Sequence, residues 1–202
     1  MTWIKESSKV RRGALAVAAV ALLAGTAFAA SAAARGPGGP GVAAGQAVAA
    51  IAPAASLSDQ EKAALRYMRE EELVAHDLYA AFAARYGSVP AFARIAAAET
   101  QHASAAKVLL DRYGLADPAV THVAGTFSDP ALQALYDRLL AKGMVSLGAA
   151  ADAGVLVEKQ DIADLQARLQ VVKAADVKVV FGNLLAGSQS HLRAFTMLAG
   201  RF

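Results

Sequence analysis

The 202-residue sequence contains no cysteine. Disulfides, thiolate nucleophiles, iron–sulfur clusters and thiolate zinc sites are thereby excluded. Any bound metal would have to be held by carboxylates, imidazoles, other oxygen groups and water. Aromatic residues make up only 6% of the chain and there are six prolines. β-branched residues are too few for a sandwich or a barrel. A basic excess is also missing from most of the chain. The formal charge of +3 arises in residues 1–34, where Lys5, Lys9, Arg11 and Arg12 face only Glu6. The remaining 168 residues hold 16 basic and 16 acidic side chains. With no basic stripe there, nucleic acid is not expected as a partner.

What the chain has is alanine and leucine, which dominate a composition that is 56% hydrophobic. These are the strongest helix formers, so the fold class expected is all-α. Residues 1–12 form a basic segment, residues 14–30 an uncharged apolar run, and Ala27-Phe28-Ala29 a small-x-small exit. That order predicts a signal peptide over residues 1–30 and an exported protein, periplasmic or extracellular. Left uncleaved, the run would be a membrane anchor; after cleavage no stable membrane span is expected. Arg11-Arg12 resembles a twin-arginine signal. Residues 31–56 are almost entirely Ala, Gly and Pro with one charge, Arg35, and read as a flexible tether.

The domain expected over residues 57–202 opens at Ser58, an N-cap with Glu61 at the capping-box position. The first helix should run to about Tyr86 and stop at Gly87. Ser88-Val89-Pro90 opens a second, ending near Tyr113-Gly114. Ser128-Asp129-Pro130 starts a short helix that closes near Lys142-Gly143. A third long helix spans about Ser146 to Gln170, and a fourth runs from about Asp176 to Ala199. Two short-linked pairs joined by one long connection predict an antiparallel four-helix bundle, with residues 115–145 as a crossover carrying the short helix.

Each long helix has an apolar stripe interrupted near its middle by a metal-binding type of residue. On the first, Glu72 falls among Leu65, Met68, Ala75, Tyr79 and Phe82. On the second, Glu99 and His102 fall among Phe92, Ile95, Ala106 and Leu110. Glu158 and Asp161 interrupt the third, and His191 the fourth, where Ser188 precedes it by one turn. A lone buried Glu usually pairs with Arg or Lys, and a lone core His with a carbonyl. Four helices each placing such a group at one level is a different matter, because burying several unpaired carboxylates would defeat a marginally stable domain. The four carboxylates Glu72, Glu99, Glu158 and Asp161 match the charge of two divalent ions, with His102 and His191 as neutral nitrogen ligands. Oxygen plus imidazole ligation suits iron or manganese, with zinc a competitor.

These residues resemble the ferritin superfamily. Glu99-Thr100-Gln101-His102 is similar to its Glu-x-x-His element. Glu72, with Tyr79 seven residues on, resembles the first helix of bacterioferritins, which favours Glu72 as the ligand and leaves Glu70 and Glu71 to a solvated face. Glu158-x-x-Asp161 resembles the paired carboxylates of rubrerythrins. Across residues 57–199, Met68-Arg69-Glu70-Glu71-Glu72, Asp161-Ile162-Ala163-Asp164-Leu165 and Ser190-His191-Leu192-Arg193-Ala194-Phe195 resemble a bacterial and archaeal ferritin-like group, domain of unknown function 2202. The resemblance implies a ferritin-like bundle, a di-iron centre, and reaction of that centre with dioxygen or peroxide; it also allows a homodimer. One position departs from the pattern: Ser188 stands where a second Glu-x-x-His would carry its glutamate.

Two function classes follow, an oxidoreductase of the di-iron carboxylate type and a non-enzymatic module that binds or sequesters metal. A third, a metal-free bundle, needs basic partners for Glu99 and Glu158, and the stripes offer no Lys or Arg. His76, one turn beyond Glu72, reads as a surface histidine, with a supporting place behind the ligand Glu72 as the alternative; His122, in the crossover, is expected to have no specific role.

Overall fold

A computed structural model describes residues 52–54 and 56–202. The leader and nearly all of the tether expected from the sequence lie outside the described residues. Among the described residues five helices follow in order: α1 (Asp59–Arg85), α2 (Pro90–Arg112), α3 (Pro130–Gly143), α4 (Leu147–Val171) and α5 (Ala175–Ala199). Their starts are set by local chemistry. Ser58 and Glu61 close a reciprocal capping box at α1, the Glu61 carboxylate accepting the Ser58 amide at 2.9 Å. Proline occupies the first turn of α2 and of α3, where its missing N–H costs nothing. Asp129 caps α3 by accepting from the Ala131 and Leu132 amides, and Ser146 caps α4 through the Ala149 amide. Gly114, at φ 61°, supplies the left-handed residue after α2.

The four long helices form a square in which α1 packs on α2 and α4, and α5 packs on the same two. Side-chain pairings set the directions. Tyr79 reaches Glu158 while Tyr67 reaches Asp164, so α1 and α4 run antiparallel. Tyr113 reaches Asp176 while Phe92 stacks near Phe195, so α2 and α5 do too. Consequently α2 and α4 run the same way on opposite corners, and the chain must climb the full length of the bundle between them. The crossover does this with α3, which packs on α1 and α4.

The expected stripe of α1, from Leu65 to Phe82, is buried throughout, as is that of α2 from Phe92 to Leu110. On α4, Ala151, Glu158, Asp161 and Leu165 are buried, and so is Gly154, where a Cβ would fall 2.7 Å from the Phe195 ring. No helix among the described residues is long and apolar enough to cross a membrane.

Candidate metal centre

The core has two apolar clusters. One contains Leu65, Met68, Leu109, Leu110, Leu165, Phe181 and Leu184. The other contains Tyr79, Phe82, Phe92, Ile95, Val157, Phe195 and Leu198. Along each long helix polar residues interrupt the apolar face close to where its contributions to the two meet. Glu71 and Glu72 do so on α1, Glu99 and His102 on α2, Glu158 and Asp161 on α4, and Ser188 and His191 on α5. Five carboxylates of this layer, on Glu71, Glu72, Glu99, Glu158 and Asp161, are each at most 5% exposed.

Glu99 is the hub. One of its oxygens lies 2.7 Å from His102 Nδ1 and the other 2.7 Å from His191 Nδ1. The contact with His191 is close but lacks hydrogen-bonding geometry, so Glu99 Oε1 and His191 Nδ1 both count as buried atoms without a partner. His102 Nδ1 is also 3.2 Å from Glu72, and His191 Nδ1 is 3.7 Å from Glu158. The two imidazole rings are stacked, with centroids 5.4 Å apart. Candidate ligand atoms of Glu99, His102 and His191 all lie within 4.8 Å of one another, a spacing that could hold a metal ion. Tyr79 donates to Glu158 at 2.7 Å, orienting the carboxylate on α4.

Charge in this layer is unbalanced. Among the described residues no Lys or Arg pairs with any of the five carboxylates; the basic groups nearest to them are the two imidazoles. Burial depresses the His102 pKa, but Glu72 and Glu99 overcome it and raise it to about 11. Glu99 is correspondingly brought down to about 2, against its own burial, by the two imidazoles. The others go the opposite way. Burial, then the charge of Asp161, pushes Glu72 well above the usual carboxylate range. Burial, then Glu99, does the same to Glu158. Asp161 is raised by burial to about 7, with Ser188 holding it back and Glu99 adding to the rise. One imidazolium therefore offsets one carboxylate, and the rest must take up protons or a cation. Glu72 Oε1 and Asp161 Oδ1 have no partner at all.

The six candidate ligands, Glu72, Glu99, His102, Glu158, Asp161 and His191, thus meet in one layer, with the tightest grouping on α2 and α5. Two expectations need correction. Glu70 and Glu71 are not on a solvated face: both are buried. Glu70 accepts the Ser128 amide at 2.6 Å, the Ser128 hydroxyl and the Asp129 amide, fixing the start of α3. Glu71 joins the polar layer with neither oxygen hydrogen-bonded, and burial followed by the charges of Asp161 and Asp164 raises its pKa strongly. His122 is not idle either. Its Nε2 is 2.9 Å from Asp77, which also accepts from the Gly125 amide and from His76. Only the run of three glutamates hinted at these roles, since the partners lie in the crossover, far along the chain.

Residues 61–199 match the family described as "Uncharacterized protein domain (DUF2202)". The chain is a DUF2202 protein. This DUF2202 domain is 36% identical over 150 residues to "Uncharacterized protein MJ0754" of Methanocaldococcus jannaschii, covering 74% of this chain and 80% of that one. The crystal structure of hypothetical protein MJ0754 from Methanococcus jannaschii is similar in fold, with a TM-score of 0.72 at 36% identity, over 75% of this chain and 86% of that one.

Proposed function

We propose that the DUF2202 domain is a ferritin-like bundle of an exported protein, and that it binds transition metal between its four long helices. Glu99, His102 and His191 hold one ion; Glu72, Glu158 and Asp161 complete the set and are placed to share a second. The observation that carries this reading is the group of five buried carboxylates that no Lys or Arg among the described residues neutralises, with Glu99 aimed at two imidazoles. Unpaired, each would cost several kcal/mol. Oxygen and nitrogen donors without sulfur suit iron or manganese, and zinc. A bound pair of redox metals would supply electrons for reduction of dioxygen or peroxide.

The chain's own residues do the rest. Glu99, His102 and His191 set the spacing of the donors. Tyr79 fixes Glu158 by donating a hydrogen bond to its carboxylate oxygen. Phe195 and Phe92 cover the Tyr79 side, while the histidine side chains keep a tenth or slightly more of their surface accessible. A second reading is that the domain holds metal without turning over. Ser188 favours it, because a neutral, buried hydroxyl beside Asp161 adds no charge to a second metal position.

Elemental analysis of the purified full-length chain tests the site. Glu99→Ala with His102→Ala should lose bound metal while retaining a helical circular dichroism spectrum. Equal metal content in variant and wild type would sink the assignment. Ferrous oxidation and peroxide consumption by the loaded protein then separate the two readings.

A further inference from the structure

We propose that a cleft between α1, the crossover and the end of α4 is a second ligand site, one that binds a small organic anion through Arg66 and Arg168. The cleft has a volume of ≈ 720 Å³, within the range of small-molecule sites. Tyr67 and Val171 give it an apolar wall, and Pro118 and Pro130 stiffen the opposite side.

Arg168 is held rather than loose. Its guanidinium carbon lies 3.9 Å from the centroid of the Tyr67 ring, a cation–π contact that restrains the side chain. Its Nε is shut off from solvent and has no hydrogen-bond partner. A buried donor left unmade is costly and uncommon, so it points to an acceptor supplied from outside the chain. Arg66, one residue before Tyr67, is exposed on the rim. Among the described residues neither arginine is paired with a carboxylate.

The acidic side chains on the cleft wall do not compete for them. Glu70 is occupied by Ser128 and by the Asp129 amide, and Asp129 caps α3. The N-terminal end of α3 sits at the wall with its amides already taken up by these two carboxylates, so an incoming anion is left to the arginines. Two unpaired guanidiniums beside an aromatic floor match a carboxylate or phosphate ester with an apolar body. Either group accepts bidentate bonds from arginine, and the body lies against Tyr67 and Val171. The floor also joins the cleft to the buried layer, since Tyr67 donates to Asp164 at 3.3 Å, beside Glu71.

Calorimetric titration of the full-length chain with benzoate, phenyl phosphate and the neutral benzamide tests this. One or both anions should bind at one per chain, at least about tenfold tighter than benzamide. Binding of phenyl phosphate alone would assign the site to phosphate esters, and of benzoate alone to carboxylates. Arg66→Gln and Arg168→Gln should each weaken the anion about tenfold or more, with metal content unchanged. Arg168→Gln also removes the contact with Tyr67, so its helicity is read alongside; Arg66 is exposed, and its variant decides the matter alone if the other misfolds. The proposal is overturned if benzamide matches the anions, if Arg66→Gln binds as wild type does, or if neither anion binds at about 10 mM.

Discussion

Gly187 lies against the edge of His102. A methyl group on its backbone would come within 2.4 Å of Cε1 and 2.5 Å of Nε2, closer than real Cβ atoms approach. The ring is caught between that backbone and the carboxylates of Glu72 and Glu99, so it cannot retreat without losing one of them. Gly187→Ala should therefore weaken metal binding about tenfold, a cost typical of overpacking. Gly182, five residues earlier on α5, has open space around its Cβ direction. Gly182→Ala should leave affinity alone and raise stability by about 1 kcal/mol, the helix-propensity difference. Metal titration and denaturant unfolding on both variants check the pair; equal affinities would mean that His102 does not hold the ion.

Between elements, Glu61 links α1 to the turn ahead of α5. That helix has no side-chain cap of its own, Ala174 being its N-cap. The carboxylate of Glu61 substitutes, accepting the Lys173 amide at 2.7 Å and the Ala174 amide at 2.9 Å. Burial would raise the Glu61 pKa, but these bonds and those from Ser58 bring it down to about 2. A depressed carboxylate stabilises the fold fully above its unfolded pKa and progressively less as pH falls through the folded one. Glu61→Gln should thus cost about 2 kcal/mol at pH 7, and wild type and variant should converge towards pH 2 in denaturant titrations. A gap that stays constant with pH would show that the charge of Glu61 is not what matters. The capping half of this role was legible in the sequence, because Ser58 and Glu61 sit three residues apart; the other half was not, its partners lying more than a hundred residues away. The same division runs through the molecule. Helix starts at Pro90, Asp129 and Ser146 are local chemistry and could be read directly. Glu99, His102, Glu158 and His191 could be read because they interrupt apolar stripes. Glu70, Asp77 and His122 could not, since a crossover folded over α1 turns an outward-looking face into a buried one. The cleft at Arg66 and Arg168 was hidden for the same reason.

For the molecule as a whole, the polar layer is a stability problem with a chemical solution. Without a cation, Glu72, Glu158 and Asp161 take up protons or repel one another. An ion that binds only the folded chain adds about 4 kcal/mol when its free concentration is a thousand times Kd. For a domain of this size that is an upward shift of about 10 °C in the midpoint. Scanning calorimetry of chelator-treated protein, with and without added manganese or zinc, should show the rise, and the Glu99→Ala, His102→Ala variant should not. An unchanged midpoint in the wild type would leave the charge problem to protons alone.

On the proposed reading the donors are divided evenly between two hairpins: Glu72, Glu99 and His102 on the first, Glu158, Asp161 and His191 on the second. Each hairpin is in effect one arm of a chelate, and neither arm alone offers a full coordination set. How tightly an ion is gripped then depends on how firmly the arms are held at the right separation, which is a matter of effective concentration. A slack connection would dilute the second arm. Here the connection is fastened down along α1, through Asp117 on Arg69, Ser128 on Glu70, and His122 and Gly125 on Asp77. The crossover thereby works as a splint, and loosening any of these fastenings would blunt the bite of a centre that none of them touches.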